Sequence, residues 1–109
     1  MGTVGTATQA VAEIVKRLVD AFHPDRIYLF GSSARGDAGP DSDYDLLIVV
    51  PESDEPGYRR MQHAQEALWG IRAAADVFVL TREEFERQQT VATSLVSTAL
   101  AEGKVLYAA

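Results

Sequence analysis

The stretch that most constrains this chain is Asp43-Tyr44-Asp45, which runs without a break into Leu46-Leu47-Ile48-Val49-Val50 and stops at Pro51. A continuous apolar run of this length, rich in branched side chains and closed by proline, reads as a buried strand. Asp43 and Asp45 stand two apart at its mouth, so both side chains project from one face with Cα atoms about 6–7 Å apart. Turn formation beside Gly39-Pro40 accounts for Asp37 and Asp41. It does not account for Asp45, because a carboxylate at the edge of a buried strand is costly without a partner. Two such charges repel by roughly 2 kcal/mol at an effective dielectric of 20, and a divalent cation removes that penalty.

The remaining segments supply the sheet and its cover. Val11, Ile14, Val15, Leu18, Val19 and Phe22 recur at helical spacing, predicting an amphipathic helix over about 7–22 that stops at His23-Pro24. Ile27 to Phe30 is a short strand ending at Gly31. After a polar turn between Ser53 and Gly57, Met61, Ala64, Gln65, Leu68 and Trp69 mark a second helix from Tyr58 to about Ile71, with Trp69 expected to pack in the core. Asp76 immediately precedes a third strand, Val77 to Leu80. Thr81 and Glu84 have capping-box spacing, with Leu80 and Phe85 placed as a hydrophobic staple, so a helix starts at Arg82. Helical pattern resumes through Leu95, Val96, Ala99 and Leu100 to Gly103, and Val105-Leu106-Tyr107 forms a short edge strand. The expected fold class is α/β (α+β): one domain over 1–109 in which a small mixed β-sheet is flanked by helices.

Composition narrows the function. Ten Lys and Arg against sixteen Asp and Glu give a net charge of −6. Extended phosphate backbones would be repelled, which argues against a nucleic-acid-coating protein but not against a triphosphate held through a metal. There is no cysteine, so thiolate metal sites and disulfides are excluded. No stretch approaches a membrane helix and no leader pattern opens the chain, so a cytoplasmic location and no membrane partner are expected. Met1-Gly2-Thr3-Val4-Gly5-Thr6 fits the loose N-myristoylation pattern without a basic cluster to support anchoring.

Gly31-Ser32 follows its strand directly, where a missing side chain lets phosphate approach the backbone and a hydroxyl donates to it. A helical turn over Ser32 to Arg35 would add N–H groups facing the same anion. Gly31 and Gly36 have P-loop spacing, but Asp37-Ala38 replaces the Lys-Ser or Lys-Thr that the loop requires. Asp41, Asp43, Asp45 and Glu52 match four EF-hand positions, yet Leu46 stands where the loop needs glycine. Neither His23 nor His63 has a second ligand at metal-binding spacing. If the strand after Asp76 lies beside the one after Asp45, three carboxylates converge as hard oxygen ligands suited to Mg²⁺.

Gly31-Ser32, ten intervening residues, Asp43-Tyr44-Asp45 and then Asp76 at a later strand start together resemble the DNA polymerase beta-like nucleotidyltransferases, and more narrowly the minimal nucleotidyltransferases. The resemblance runs from Ile27 to Leu80, with a familiar ending at 101–107. It implies a nucleotidyltransferase fold in which Asp43 and Asp45 hold two Mg²⁺ ions and Asp76 completes the one that activates the acceptor hydroxyl. Gly31, Ser32 and Arg35 would bind the nucleoside triphosphate, expected to be ATP. Arg35 also has the simpler alternative of a surface ion pair with Asp37 or Asp41. Ser33 stands where many relatives carry a basic residue. Members of this group are often paired with a helical HEPN-type toxin, so the resemblance further implies an antitoxin that transfers AMP to that partner, or one that masks it without chemistry.

Overall fold

A computed structural model describes residues 6–31, 44–71 and 75–109. The described elements are α1 (Thr6–Phe22), β1 (Arg26–Phe30), β2 (Tyr44–Val50), α2 (Gly57–Ala67), β3 (Ala75–Thr81), α3 (Arg82–Gln88), α4 (Leu95–Glu102) and β4 (Lys104–Ala108). Their order is the one the apolar periodicities predict. The strands form an open mixed sheet, β3-β2-β1-β4, in which β2 pairs antiparallel with β1 and parallel with β3, and β4 runs antiparallel to β1.

β2 is central and has apolar side chains on both faces, so each face needs a cover. Leu46, Ile48 and Val50 join Ile27, Leu29, Val77 and Val79 on one face, packed under Ile14 and Leu18 of α1 and Ala64 and Leu68 of α2. Leu47 and Val49 join Tyr28 and Phe30 on the other face, under Phe85 of α3 and Val96 and Ala99 of α4. Tyr28 and Phe85 stack with ring centroids 5.8 Å apart. Each fully buried aliphatic side chain contributes about 1.5–3 kcal/mol, so the alternate residues of one strand hold both helical layers.

Local chemistry fixes the element ends. His23 takes a left-handed conformation (φ 47°) and donates its N–H to the Val19 carbonyl, and the buried Pro24 prevents continuation of α1. The capping box at α3 is complete: Thr81 Oγ1 accepts from the Glu84 N–H at 3.2 Å, and the Glu84 carboxylate accepts from the Thr81 N–H at 2.8 Å. At Gly103, which ends α4, an added Cβ would run into the carbonyl oxygens of Ala99 and Leu29. Crowding by the last turn of α4 and by β1, not a special φ, requires glycine there.

The end of α2 differs from expectation. The helix stops at Ala67, residues 68–70 turn with Gly70 at φ 89°, and Trp69 is 85% exposed instead of packed in the core. Trp69 follows Met61 and Gln65 at four-residue spacing, and that row is exposed beside the buried stripe of Arg60, Ala64 and Leu68. Trp69 is held instead through its main chain, whose carbonyl accepts from Arg17 Nη1 at 2.6 Å.

Arg60 lies on that buried stripe, 6% exposed. Its Nη1 donates to the Val79 carbonyl at 2.9 Å and to Glu84 Oε1 at 2.8 Å, its Nη2 to Glu84 Oε2 at 3.2 Å, and its Nε to the Glu55 carbonyl at 3.2 Å. Gln65 Nε2 donates to the Ala75 carbonyl. With the Glu84–Thr81 bond, these side chains occupy main-chain groups of β3 that its edge position would leave unpaired, protecting the edge from adventitious pairing.

The Arg60 hydrogen bonds are the largest influence on Glu84 and outweigh its desolvation, holding its carboxyl at about 2, below the ordinary 4.5. A depressed folded-state value means that the stabilisation is complete above about pH 4.5 and is lost as pH falls from there toward 2. Allowing for partial solvent exposure, this amounts to about 2 kcal/mol. Arg60→Ala should lower stability by about 2–4 kcal/mol by stranding Glu84 and the Val79 carbonyl. Urea denaturation should also show that Glu84→Gln is less sensitive than the wild type to acidification between pH 5 and 2.5.

Candidate active site

Three of the six sequence-predicted site residues are described, and the sheet brings them to one end. β1 finishes at Phe30, which pairs with Asp45 at the start of β2, and Asp45 pairs with Asp76 at the start of β3. Residues directly opposite in a parallel ladder share a face. By strand alternation Asp45 lies on the side of Leu47 and Val49, and Asp76 on the side of Phe78 and Leu80, which is the α3/α4 face in both cases. The condition set by the sequence, that the strand after Asp76 adjoin the strand after Asp45, is met in register.

Gly31 adjoins this pair. It has φ 76°, in the left-handed region, and an added Cβ would run into Asp45 Oδ2. Two independent constraints therefore demand glycine, one from the backbone and one from the carboxylate against it. The order across the sheet end is Gly31, Asp45, Asp76. Asp45 is half-buried and Asp76 exposed. Neighbouring strands lie about 4.8 Å apart, and two carboxylates at that spacing repel by about 1–3 kcal/mol between effective dielectrics of 80 and 20.

Asp43, Ser32 and Arg35 lie outside the described residues. Among the described residues, no group of three or more His, Cys, Asp or Glu is placed to hold a metal. Asp45 and Asp76 provide two of the three carboxylates that the sequence points to. Their hard oxygen donors on one face suit a divalent cation. His63 is paired with Glu55, Nδ1 to Oε1 at 3.0 Å. No helix among the described residues is long and apolar enough to cross a membrane.

Beyond Asp76, on the side away from Gly31, an open groove of about 760 Å³ runs between α2 and β3, lined by Tyr58, Met61, Gln62, Glu66, Asp76 and Phe78 among others. The apolar pattern of α2 takes Met61 and Gln65 with Ala64 and Leu68, but only Ala64 and Leu68 are buried, and Met61 and Gln65 lie exposed on the groove. The available signal was Tyr58, Met61 and Gln62, with Gln65 and Glu66 one turn further on, flanking the buried positions.

A family model for the nucleotidyltransferase domain matches residues 9–106. The chain belongs to this family, in agreement with its resemblance to the minimal nucleotidyltransferases. No curated protein matches it. Among solved structures it is similar to a putative nucleotidyltransferase from Sulfolobus solfataricus, 25% identical over 99% of this chain and 92% of that one, with a TM-score of 0.63. It is also similar to a toxin-antitoxin crystallised with AMP-PNP, 24% identical over 90% of this chain and 73% of that one, with a TM-score of 0.64. A mutant of the toxin-antitoxin MntA-HpeT is 23% identical over 91% and 72% respectively, with a TM-score of 0.65. The open four-stranded mixed sheet with its flanking helices is the nucleotidyltransferase fold.

Gly31→Ala should cost about 1–2 kcal/mol from the left-handed backbone alone, with a further loss from displacing Asp45. Thermal denaturation should show this deficit in the wild-type background and a smaller one when Asp45 is also alanine.

Proposed function

We propose that the chain is a Mg²⁺-dependent nucleotidyltransferase that moves AMP from ATP onto a hydroxyl of a separate HEPN-type polypeptide, acting as the antitoxin of that partner in the cytoplasm. The observation that carries this reading is the in-register pairing of Asp45 with Asp76 beside Gly31. It is supported by membership of the nucleotidyltransferase family and by similarity in fold to a toxin-antitoxin crystallised with AMP-PNP.

In the proposed reaction the acceptor oxygen forms a bond to the α-phosphorus, the bond from that phosphorus to the bridging oxygen breaks, and pyrophosphate leaves with the electron pair. The hydroxyl proton passes to solvent. Asp43 and Asp45 would hold two Mg²⁺ ions and Asp76 would complete the acceptor-side ion; when bound, the ions would supply hydroxyl activation and neutralisation of the leaving group. Gly31, with no side chain, lets the Asp45 carboxylate sit against the end of β1, while Gly31, Ser32 and Arg35 would bind the triphosphate. Fixing both reactants at one sheet end supplies the orientation that an in-line displacement needs.

The second reading is a module that masks its partner without chemistry. Masking gives no reason for acidic residues to meet in register, whereas transfer does. Incubation with each labelled triphosphate, Mg²⁺ and native cell lysate should label one protein, most strongly from ATP. Mass spectrometry should find one adenylyl group on a tyrosine of a helical partner.

Asp43→Asn and Asp45→Asn should each abolish transfer while leaving metal-free thermal stability equal or higher, because local repulsion is relieved. Asp76→Asn should abolish transfer but retain Mg²⁺-nucleotide binding by calorimetry. Loss of nucleotide affinity in Asp76→Asn as complete as the loss of turnover would overturn this division of roles.

A further inference from the structure

The groove between α2 and β3 has three properties that together identify an occupant. It is continuous with the candidate active site, since Asp76 belongs to both. It lies across Asp45 from Gly31, where the proposed function puts the nucleotide's phosphates. Finally, both charged side chains in its lining, Glu66 and Asp76, are acidic.

With Asp76 committed to the cation, Glu66 remains as the charge on the groove wall, where it attracts a cationic side chain, and the net charge of −6 disfavours a nucleic-acid backbone. A small-molecule site normally encloses most of its ligand, whereas this groove is open along two turns of α2. Tyr58 is 66% exposed and Met61 40% exposed on its rim. Exposed tyrosine and methionine beside a polar, charged border are features of protein-contact surfaces. The side-chain amide of Gln62 offers both a donor and an acceptor, suited to the main chain of an extended segment.

On the strength of the proposed transferase reading, we infer that this groove is the acceptor-docking site and that its occupant is a basic segment of a partner polypeptide. Its hydroxyl side chain crosses the β3 edge past Phe78 to Asp76 on the α3/α4 face, its apolar neighbour covers Tyr58 and Met61, and a Lys or Arg pairs with Glu66. Specificity for the acceptor thus resides on α2, on residues that take no part in holding nucleotide or metal. Transfer and acceptor selection become separable by mutation.

The test uses the polypeptide that the wild-type chain labels from Mg²⁺-ATP in lysate, purified as the acceptor. Met61→Lys and Glu66→Lys, both on the exposed side of α2, should each raise the KM for that acceptor at least tenfold while leaving the ATP dissociation constant within twofold of wild type. Direct binding of the acceptor to the nucleotide-free chain, followed by fluorescence anisotropy, should weaken in parallel. Replacing one basic acceptor residue near the labelled site with glutamate should restore the KM of Glu66→Lys and impair that of the wild type. Wild-type KM and binding in both variants would overturn the groove assignment and leave the transferase reading standing. Label recovered on nucleic acid or a metabolite would overturn the polypeptide occupant. A wild-type chain that labels nothing would overturn the transferase reading itself, and this inference with it.

Discussion

Everything at the candidate site depends on β2 being held from both sides in a fixed register. It pairs antiparallel with β1 and parallel with β3, and its alternate residues enter two different cores. A slip of one residue would exchange the two sets of side chains and move Asp45 to the opposite face from Asp76. The two cores oppose such a slip, because Leu46, Ile48 and Val50 fit beneath α1 and α2 while Leu47 and Val49 fit beneath α3 and α4. The register that sets the acidic pair side by side is therefore maintained by aliphatic packing.

β3 carries the third acidic position on an edge strand, where a parallel pairing alone gives limited support. Arg60 supplies much of the rest by joining α2, the β3 main chain and the first turn of α3 through a single guanidinium. Glu84 thereby serves two purposes: it caps α3 through the Thr81 N–H and neutralises Arg60. Breaking the pair would release both the helix start and the edge strand, whereas a well-packed apolar replacement of both partners could preserve the layer contact at the expense of the cap.

The order and type of the elements were readable because apolar periodicity reports burial, and burial here is regular. The Thr81–Glu84 box was readable to the residue, since its chemistry is local. The adjacency of Asp45 and Asp76 appeared in the sequence only as a condition, because strand order depends on contacts between distant segments. Arg60 escaped notice for a different reason: an arginine on an apolar stripe looks like a solvated charge until its partner Glu84 is known. Trp69 was misread because its helical spacing from Gln65 and Leu68 suits either of two neighbouring rows, and the row it shares with Met61 and Gln65 faces outward. Asp43, Ser32 and Arg35 lie outside the described residues.

The placement of β4 has a consequence for how the sheet comes into being. Its partner is β1, with Ile27 opposite Tyr107, so contacts that close one side of the sheet join segments near opposite ends of the chain. Such non-local pairing is slow to form, because the entropy of closing the intervening chain is lost before the contact returns anything. During synthesis β1 must wait with one edge bare while β2 and β3 assemble on the other, and that bare edge, flanked by Tyr28 and Phe30, is the interval in which a nascent chain is most open to wrong pairing.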